Sequence, residues 1–546
     1  MKRKAVAAVL TAVMVASMFT GCGSDNGSSS AKSASAASAA SAANDTVDED
    51  GKVNGIMYQE GLPLVDEGDY TFSIFCDDSS ESGEFIMLDE FKKQTNVDVD
   101  LKIYPYETAT ERLNLDLNSG DYADVIGGWT LSDNAILTYG VSQGVFIPLE
   151  DYFEKYCPNI SAILDLPGVR EKMTAPDGHI YTIPYVCADT TVGYSPYINT
   201  KWLENVGMSM PTTTDEFEAV LKAFKEQDAN GNGDASDEIP FSTDPNNKHI
   251  EAMAGYFGLP MNKLGIAIQN EKVVYGGVSD TYREFLSWFH KLYAEGLVDV
   301  ELYTQDSSTW EGKGNQDLYG VSIAYGSNEF TGIPAAEERG DFDSMPVLNT
   351  DKDGIWLRDT EGFSVYRTQA VITNKAEHPE IICRWFDNAF ALENGIGCNR
   401  GPVGVIVNKE DDGYHAIDTT TLSEEDQEKY SWGNLWPQSL PKYLPVDFEF
   451  VEEHPMYDEK KATEEAYEAN LTKEIIPSYW IDLDKIDTFS DTNTAIKDFF
   501  EQQQAQFVCG ELDIDNDADW QAYVDGMYSL GLEDWVATQG IEEIAK

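Results

Sequence analysis

The sequence predicts an α/β protein built around a parallel sheet, with enough chain for two domains or more. Three observations carry this. Tyr70–Phe75 alternates as a strand, Val97, Val99, Leu101 and Ile103 alternate as another, and Asp124–Ile126 reads as a third. Between the first two, Phe85, Leu88 and Phe91 recur at helical spacing. Strand, helix, strand in this rhythm indicates parallel pairing. The chain has 546 residues with 11 Trp, 28 Tyr and 24 Phe, which is core material for a large folded body.

The middle of the chain is rich in helices. Thr213-x-x-Glu216, just after Pro211, is a capping box, and Phe217, Val220, Leu221 and Phe224 follow it as one apolar stripe. A second stripe carries Tyr282, Phe285, Leu286, Phe289, Leu292 and Tyr293 and stops near Gly296. A third follows His378-Pro379-Glu380, with Ile381, Ile382, Trp385, Phe386 and Ala389 on one face. Stripes of this kind are core faces.

Residues 1–21 read as a secretory signal peptide. Lys2, Arg3 and Lys4 precede an apolar run from Ala5 to Phe19, and small residues follow. The run falls short of the roughly 20 residues a comfortable membrane span needs. Phe19-Thr-Gly-Cys22 resembles a bacterial lipobox, with Phe19 where Leu is usual, and makes Cys22 the expected site of lipidation. Residues 22–60 then read as anchor and tether, because Ser24–Ala43 is almost entirely Ser and Ala. A random coil of about 30 residues reaches about 30 Å. The expected location is the outer face of a cell membrane, held by lipid alone, in an envelope of Gram-positive type.

The formal charge is −60, and loss of the three leader cations takes it to −63. Such acidity excludes nucleic acid as a partner, since phosphates demand Lys and Arg. It also opposes docking on anionic lipid. Cys22 apart, the cysteines are Cys76, Cys157, Cys187, Cys383, Cys398 and Cys509. None forms a CxxC pair, which leaves zinc and thioredoxin-type chemistry without support. Disulfides and isolated buried thiols both remain open.

From about Tyr70 onward a series of short segments follows in a fixed order: Leu113–Asp121 with Ala123-Asp-Val-Ile126, Gly144–Leu149, Tyr156–Ile160, Asp177–Pro184, Ile198–Leu203 and Leu292–Leu297. This order resembles the lipoprotein solute-binding proteins of bacterial ABC importers, in the branch called extracellular solute-binding protein family 1. Members that bind oligosaccharides, including alginate-binding ones, are the most similar. The segment Gly395–Gly401 fits less well. The resemblance implies a two-lobed fold like the periplasmic binding proteins (class II), with crossing strands as hinge and the ligand between the lobes. The expected boundaries are 61–188 with 368–440 for lobe 1, and 189–367 with 441–546 for lobe 2. It also implies a monomer that serves ABC permease subunits.

A loop after the first stripe points to calcium. Asp228-Ala-Asn-Gly-Asn-Gly-Asp-Ala-Ser-Asp-Glu238 alternates oxygen-bearing side chains, and a calcium ion takes about six to eight oxygens. Asp228, Asn230, Asn232, Asp234, Asp237 and Glu238 are the candidate ligands, with Gly233 at the sharp turn. An EF-hand would end on an acid where Ile239 stands, so the shell must close on Asp237 or Glu238. The resembling family carries a calcium loop of this kind. A structural role is expected, because one loop lacks the paired helices of a sensor.

Sugars offer apolar CH faces and rings of hydroxyls. Aromatic side chains stack on the first, while Asp, Asn and Arg bond the second. Loops at the carboxyl ends of parallel strands gather such groups. The candidates are Asp78 and Ser79 after the first strand, Trp129 after the third, and Tyr185 and Tyr194 at the first crossing. Tyr325 and Asn328 follow the strand Val321–Ala324; Arg367 lies near the second crossing, and Trp432 and Trp436 in a loop broken by Pro437. Each is equally suited to packing.

An exported hydrolase acting on polysaccharide is the rival class, since two of 97 acids could meet at a catalytic spacing. No HExxH, GxSxG or P-loop motif is present. The expected function is therefore a non-catalytic receptor that captures an extracellular oligosaccharide and delivers it to an ABC importer. Neutral sugars fit the net charge better than uronic ones. Peptides are the alternative ligand class.

Overall fold

The computed structural model describes residues 45–78, 84–245, 249–332, 341–448, 450–451, 455–541 and 543–545. The signal peptide, Cys22, most of the Ser/Ala tether and Ser79 lie outside them. The strands of the two main sheets begin with β1 (Tyr70–Asp77), β2 (Val97–Tyr104), β3 (Val125–Gly127) and β4 (Thr182–Ala188). Then follow β5 (Ser195–Asn199), β6 (Ile239–Thr243), β7 (Tyr319–Ala324), β8 (Phe342–Ser344) and β9 (Phe363–Ile372). The helices used below are α1 (Ile86–Thr95), α2 (Tyr106–Ser119), α3 (Thr214–Glu226), α4 (Asp280–Ala294), α5 (Pro379–Ala389) and α6 (Ile486–Cys509).

Two sheets organise the molecule. The first has the order β2-β1-β3-β9-β4. Its β1 pairs parallel with β2 and β3, as the strand–helix–strand rhythm requires. β9 returns antiparallel between β3 and β4. The second sheet has the order β8-β5-β7-β6. Each sheet has its own core. Around the first lie residues from Val53 to Val186 and from Ala370 to Leu440. Around the second lie residues from Val192 to Trp356 and from Tyr467 to Ala545. The two lobes meet where Asp189–Gly193 and Asp359–Gly362 run side by side. Asp189 N–H donates to Gly362, Asp359 N–H to Thr191, and Thr360 Oγ1 to the Thr190 carbonyl.

Two expectations of the sequence are corrected. Residues 45–60, expected as tether, form a small hairpin, Lys52–Val53 with Met57–Tyr58, whose Val53 and Met57 are fully buried in the first core. Apolar side chains at these two places pull the segment onto the body. Past residue 440 the chain still serves the first lobe: Tyr443 and Val446 pack on its core. Farther on, Ile481 and Ile486 bury Leu137. The described cysteines are free thiols, four of them buried. Among the described residues no helix is long and apolar enough to cross a membrane.

Candidate functional site

The site begins at Asp77, the last residue of β1. Its carboxylate is fully buried and accepts the N–H of Trp129 at 3.0 Å and of Thr130 at 2.6 Å. These bonds fold the loop after β3 back over the strand end and raise Trp129, which stays 46% exposed. Burial raises the Asp77 pKa, and the two backbone N–H groups oppose that by favouring the charged form. Gly128 makes the turn with φ +138°, and a Cβ there would overlap the Asp77 carboxylate.

Trp129 stands edge-on to Tyr366 at 5.4 Å and to Tyr185 at 6.5 Å. The two tyrosines stack at 5.3 Å because β4 and β9 place them opposite one another. Cys187 and Ser364, the next pair on that face, lead to the hinge. Ser364 Oγ donates to Asp189 Oδ2 at 2.5 Å, and Asp189 Oδ1 accepts from the Tyr325 hydroxyl at 3.3 Å. Tyr325 comes from the end of β7, on the second sheet. Tyr194 is edge-on to Tyr325 at 6.0 Å and lies flat on His249 at 4.0 Å. Lys460 closes the group, with Nζ 3.7 Å from the centre of the Tyr325 ring and a 2.9 Å bond to the Gly193 carbonyl. Rings from both lobes thus flank one crossing.

Burial also shifts the two bases of this group. His249 is pushed down to about 4 by burial, with Lys263 adding to it, so a neutral ring supports Tyr194. Burial lowers Lys460 to about 8 against the pull of Glu329 and other acids.

The candidate contacts divide accordingly. Trp129, Tyr185, Tyr194 and Tyr325 come together. Trp432 is 56% exposed beside Lys442. Asn328 opens the short helix Asn328–Thr331 beyond Tyr325, half-buried. Three contacts are corrected. Trp436 has no exposed surface: it stacks on Trp385 at 5.7 Å and meets Phe91 at 5.2 Å in the first core. Arg367 is 6% exposed and tied to Asp133 and the Tyr479 carbonyl, with its guanidinium 4.0 Å from the Trp480 ring centre. It ties the loop of Asp133 to the segment Tyr479–Trp480, and its Nη1 has no hydrogen-bond partner. Asp78 is 3% exposed and accepts the Gln438 N–H at 2.8 Å. Asp77, Asp189, Tyr366, His249 and Lys460 were not singled out from the sequence. Only Tyr366 carried a local signal, an aromatic residue one position before Arg367 at the second crossing.

The acidic loop has the features of a cation site. Gly233 N–H donates to Asp228 Oδ2 at 3.0 Å and Ala229 N–H to Glu238 Oε1 at 2.8 Å. Asp237 accepts from the Asn230 and Asn232 amides, while Asp234 accepts from Ser236. Asp228 Oδ1 and Glu238 Oε2 are buried without any hydrogen-bond partner. Two bare, buried carboxylate oxygens in one loop fit a hard divalent ion. A different cavity of about 570 Å³ lies between Ile268–Glu271 and Ala469–Glu474, but no aromatic ring lines it.

The crossing itself responds to pH. The Asp359 carboxylate accepts the Gly193 N–H at 2.7 Å; its side chain still meets water, and partial desolvation with Asp189 nearby raises its pKa toward about 6. The folded state then holds this proton more tightly than the unfolded chain, so stability falls as pH rises from about 4 to 6. Asp359→Asn keeps an oxygen acceptor and removes the charge. Thermal unfolding should find it slightly more stable than wild type at pH 7.5, a small gain because water reaches this carboxylate, with the gap closing below pH 4. An equal gap at both pH values would contradict this.

A family model described as bacterial extracellular solute-binding protein matches residues 78–395. The chain is 31% identical over 411 residues to the fructooligosaccharide ABC transporter substrate-binding protein FusA of Streptococcus pneumoniae serotype 4, covering 73% of this chain and 70% of that one. It is 28% identical over 280 residues to the lipoprotein LipO of Bacillus subtilis, covering 50% and 52%. The structure of S. pneumoniae FusA in complex with kestose superposes with a TM-score of 0.75 at 26% identity, over 86% of this chain and 98% of that. A FusA EF-hand mutant in complex with fructo-nystose gives a TM-score of 0.74 at 27% identity, over 86% and 98%. By the family match and by FusA, this chain belongs to the bacterial extracellular solute-binding proteins.

Proposed function

We propose that this protein captures an oligosaccharide between its two lobes and delivers it to an ABC importer. The aromatic group around the crossing carries the reading. Trp129, Tyr185 and Tyr366 face from the first sheet and Tyr194 and Tyr325 from the second, so closure brings rings to both sides of one ligand. Stacking and closure supply the free energy, and the sugar is released unchanged. FusA, with its fructooligosaccharides, supports a neutral sugar, and so does the net charge of −60.

Finer parts of the proposal rest on the sequence. Cys22 carries a lipid that holds a monomer at the outer face of the membrane, near its permease subunits. The name of LipO supports the lipoprotein. The hinge runs through Asp189–Gly193 and Asp359–Gly362. The loop Asp228–Glu238 binds calcium in a structural role; the bare oxygens of Asp228 and Glu238 and the EF-hand of FusA support this.

Calorimetric titration with kestose, nystose and a wider panel of neutral oligosaccharides tests the function. Trp129→Ala should weaken the best ligand by roughly tenfold to a hundredfold, as loss of a central aromatic anchor does. Stabilisation of the wild type by peptides and by no sugar would overturn the proposal.

A further inference from the structure

Two exposed tryptophans stand at the same end of the first sheet. Trp129 is 46% exposed and Trp432 is 56% exposed. A continuous set of contacts joins them. Asp77 holds the loop of Trp129, and the Ser439 hydroxyl donates to the Asp77 carbonyl. Asp78, next in the chain, accepts the Gln438 N–H at 2.8 Å. Gln438 Nε2 in turn donates to the Trp432 carbonyl at 2.9 Å. Leu440 fills the space beside Gly127 that a Cβ would need. The segment Trp432–Leu440 is therefore laid alongside the loop Gly127–Thr130.

The Trp432 ring is also supported. Lys442 Nζ lies 5.2 Å from its centre and donates to Gln438 Oε1 at 2.6 Å. Lys442 itself is 2% exposed, and burying an ammonium is costly unless its partners are fixed. That arrangement holds one face of an indole in place while most of the ring remains in water. A rigid, wet, apolar ring is poised to give up its hydration to a ligand. The segment that carries it is bonded to the strand end that holds the loop of Trp129.

We infer that Trp432 is an outer sugar platform, which makes the protein select its oligosaccharide by chain length. A short sugar covers the inner group around Trp129, and a longer one reaches past Gln438 to Trp432. This inference rests on the oligosaccharide reading above. It assigns Trp432 to the same ligand rather than to a protein surface, because the hydrogen-bonded path leads from Trp432 to the loop of Trp129.

The probes are short and long members of three neutral series: sucrose with nystose, maltose with maltotetraose, and xylobiose with xylotetraose. In the series that binds, Trp432→Ala should weaken the long member about tenfold and leave the short one within twofold. Trp432→Phe keeps a ring and should restore most of the loss. Trp129→Ala should weaken both members. The ring is exposed, so thermal midpoints should stay at the wild-type value. Wild-type binding of a long sugar that Trp432→Ala leaves unchanged overturns the inference alone, and lost uptake in cells with unchanged affinity would assign Trp432 to the permease. Failure of the wild type to bind any series overturns the function on which the inference rests.

Discussion

Gly128→Ala should cost on the order of 4 kcal/mol of stability and abolish measurable sugar binding. Two effects combine. The residue holds φ at +138°, where an L side chain adds about 1–3 kcal/mol of strain. The new Cβ would also overlap the Asp77 carboxylate, and crowding a buried site adds about 1–3 kcal/mol. Asp77 cannot yield freely, because it caps the N–H groups of Trp129 and Thr130. If it moves, a buried carboxylate loses its bonds and Trp129 loses its orientation. Gly120→Ala separates the two effects. Gly120 has φ +76° with open space around it, so its alanine variant meets strain alone. It should lose about 1 kcal/mol and bind sugar normally. Thermal unfolding and titration on both variants decide this; wild-type affinity in Gly128→Ala would refute the scaffold role of Asp77.

The elements that could be read from the sequence are those whose pattern is local. β1 and β2 alternate, and they extend only one or two residues past the predicted stretches. α3 begins at its capping box, with Thr213 Oγ1 accepting the Glu216 N–H at 3.2 Å. The reciprocal bond slips by one residue: Glu216 Oε2 accepts from Thr212 instead of the cap. The stripes of α4 and α5 are buried as their spacing requires, except for Tyr293 at the end of α4, which is half-buried. The sheet order is a different matter. β9 inserts between β3 and β4 from far along the chain, and no local period encodes that. The hairpin at Lys52–Tyr58 escaped because two buried side chains in a polar stretch leave almost no pattern.

The site was legible where geometry follows strand ends, and illegible where it depends on partners. Trp129 and Tyr325 end strands, which is where ligands gather in α/β proteins. Trp432 and Trp436 looked alike in sequence, four residues apart beside a proline. One is buried against Trp385 and Phe91 and the other is wet, and only tertiary contacts distinguish them. Arg367 looked like a hydroxyl donor for sugar. A carboxylate more than two hundred residues away, Asp133, claims it instead. Tyr366 needed the β4–β9 register to be seen as the partner of Tyr185.

Calcium at a concentration of 100 times its dissociation constant should stabilise the second lobe by about 2.7 kcal/mol, and a chelator should remove that gain. The loop Asp228–Glu238 connects α3 to β6, so its order bears on the edge of the second sheet. Without an ion, burial raises the Glu238 pKa, with the neighbouring charge of Asp237 adding to it. An acid whose folded pKa is raised makes the fold less stable as pH rises through that range. In chelator, therefore, stability should increase on acidification from neutral pH. With calcium bound, the charged form of Glu238 is the one stabilised, and the trend should flatten or reverse. Glu238→Gln and Asp228→Asn each remove a buried negative charge that has no hydrogen-bond partner on one oxygen. Both variants should lose the calcium response while the apo protein stays as stable as wild type or gains slightly. Sugar affinity should change little at temperatures where the lobe is folded, because the aromatic group forms around the crossing and not around this loop. Thermal unfolding across pH with calcium or chelator reads all of these at once. An unfolding midpoint indifferent to calcium in the wild type would remove the metal from this loop and leave its bare oxygens as a strained polar turn.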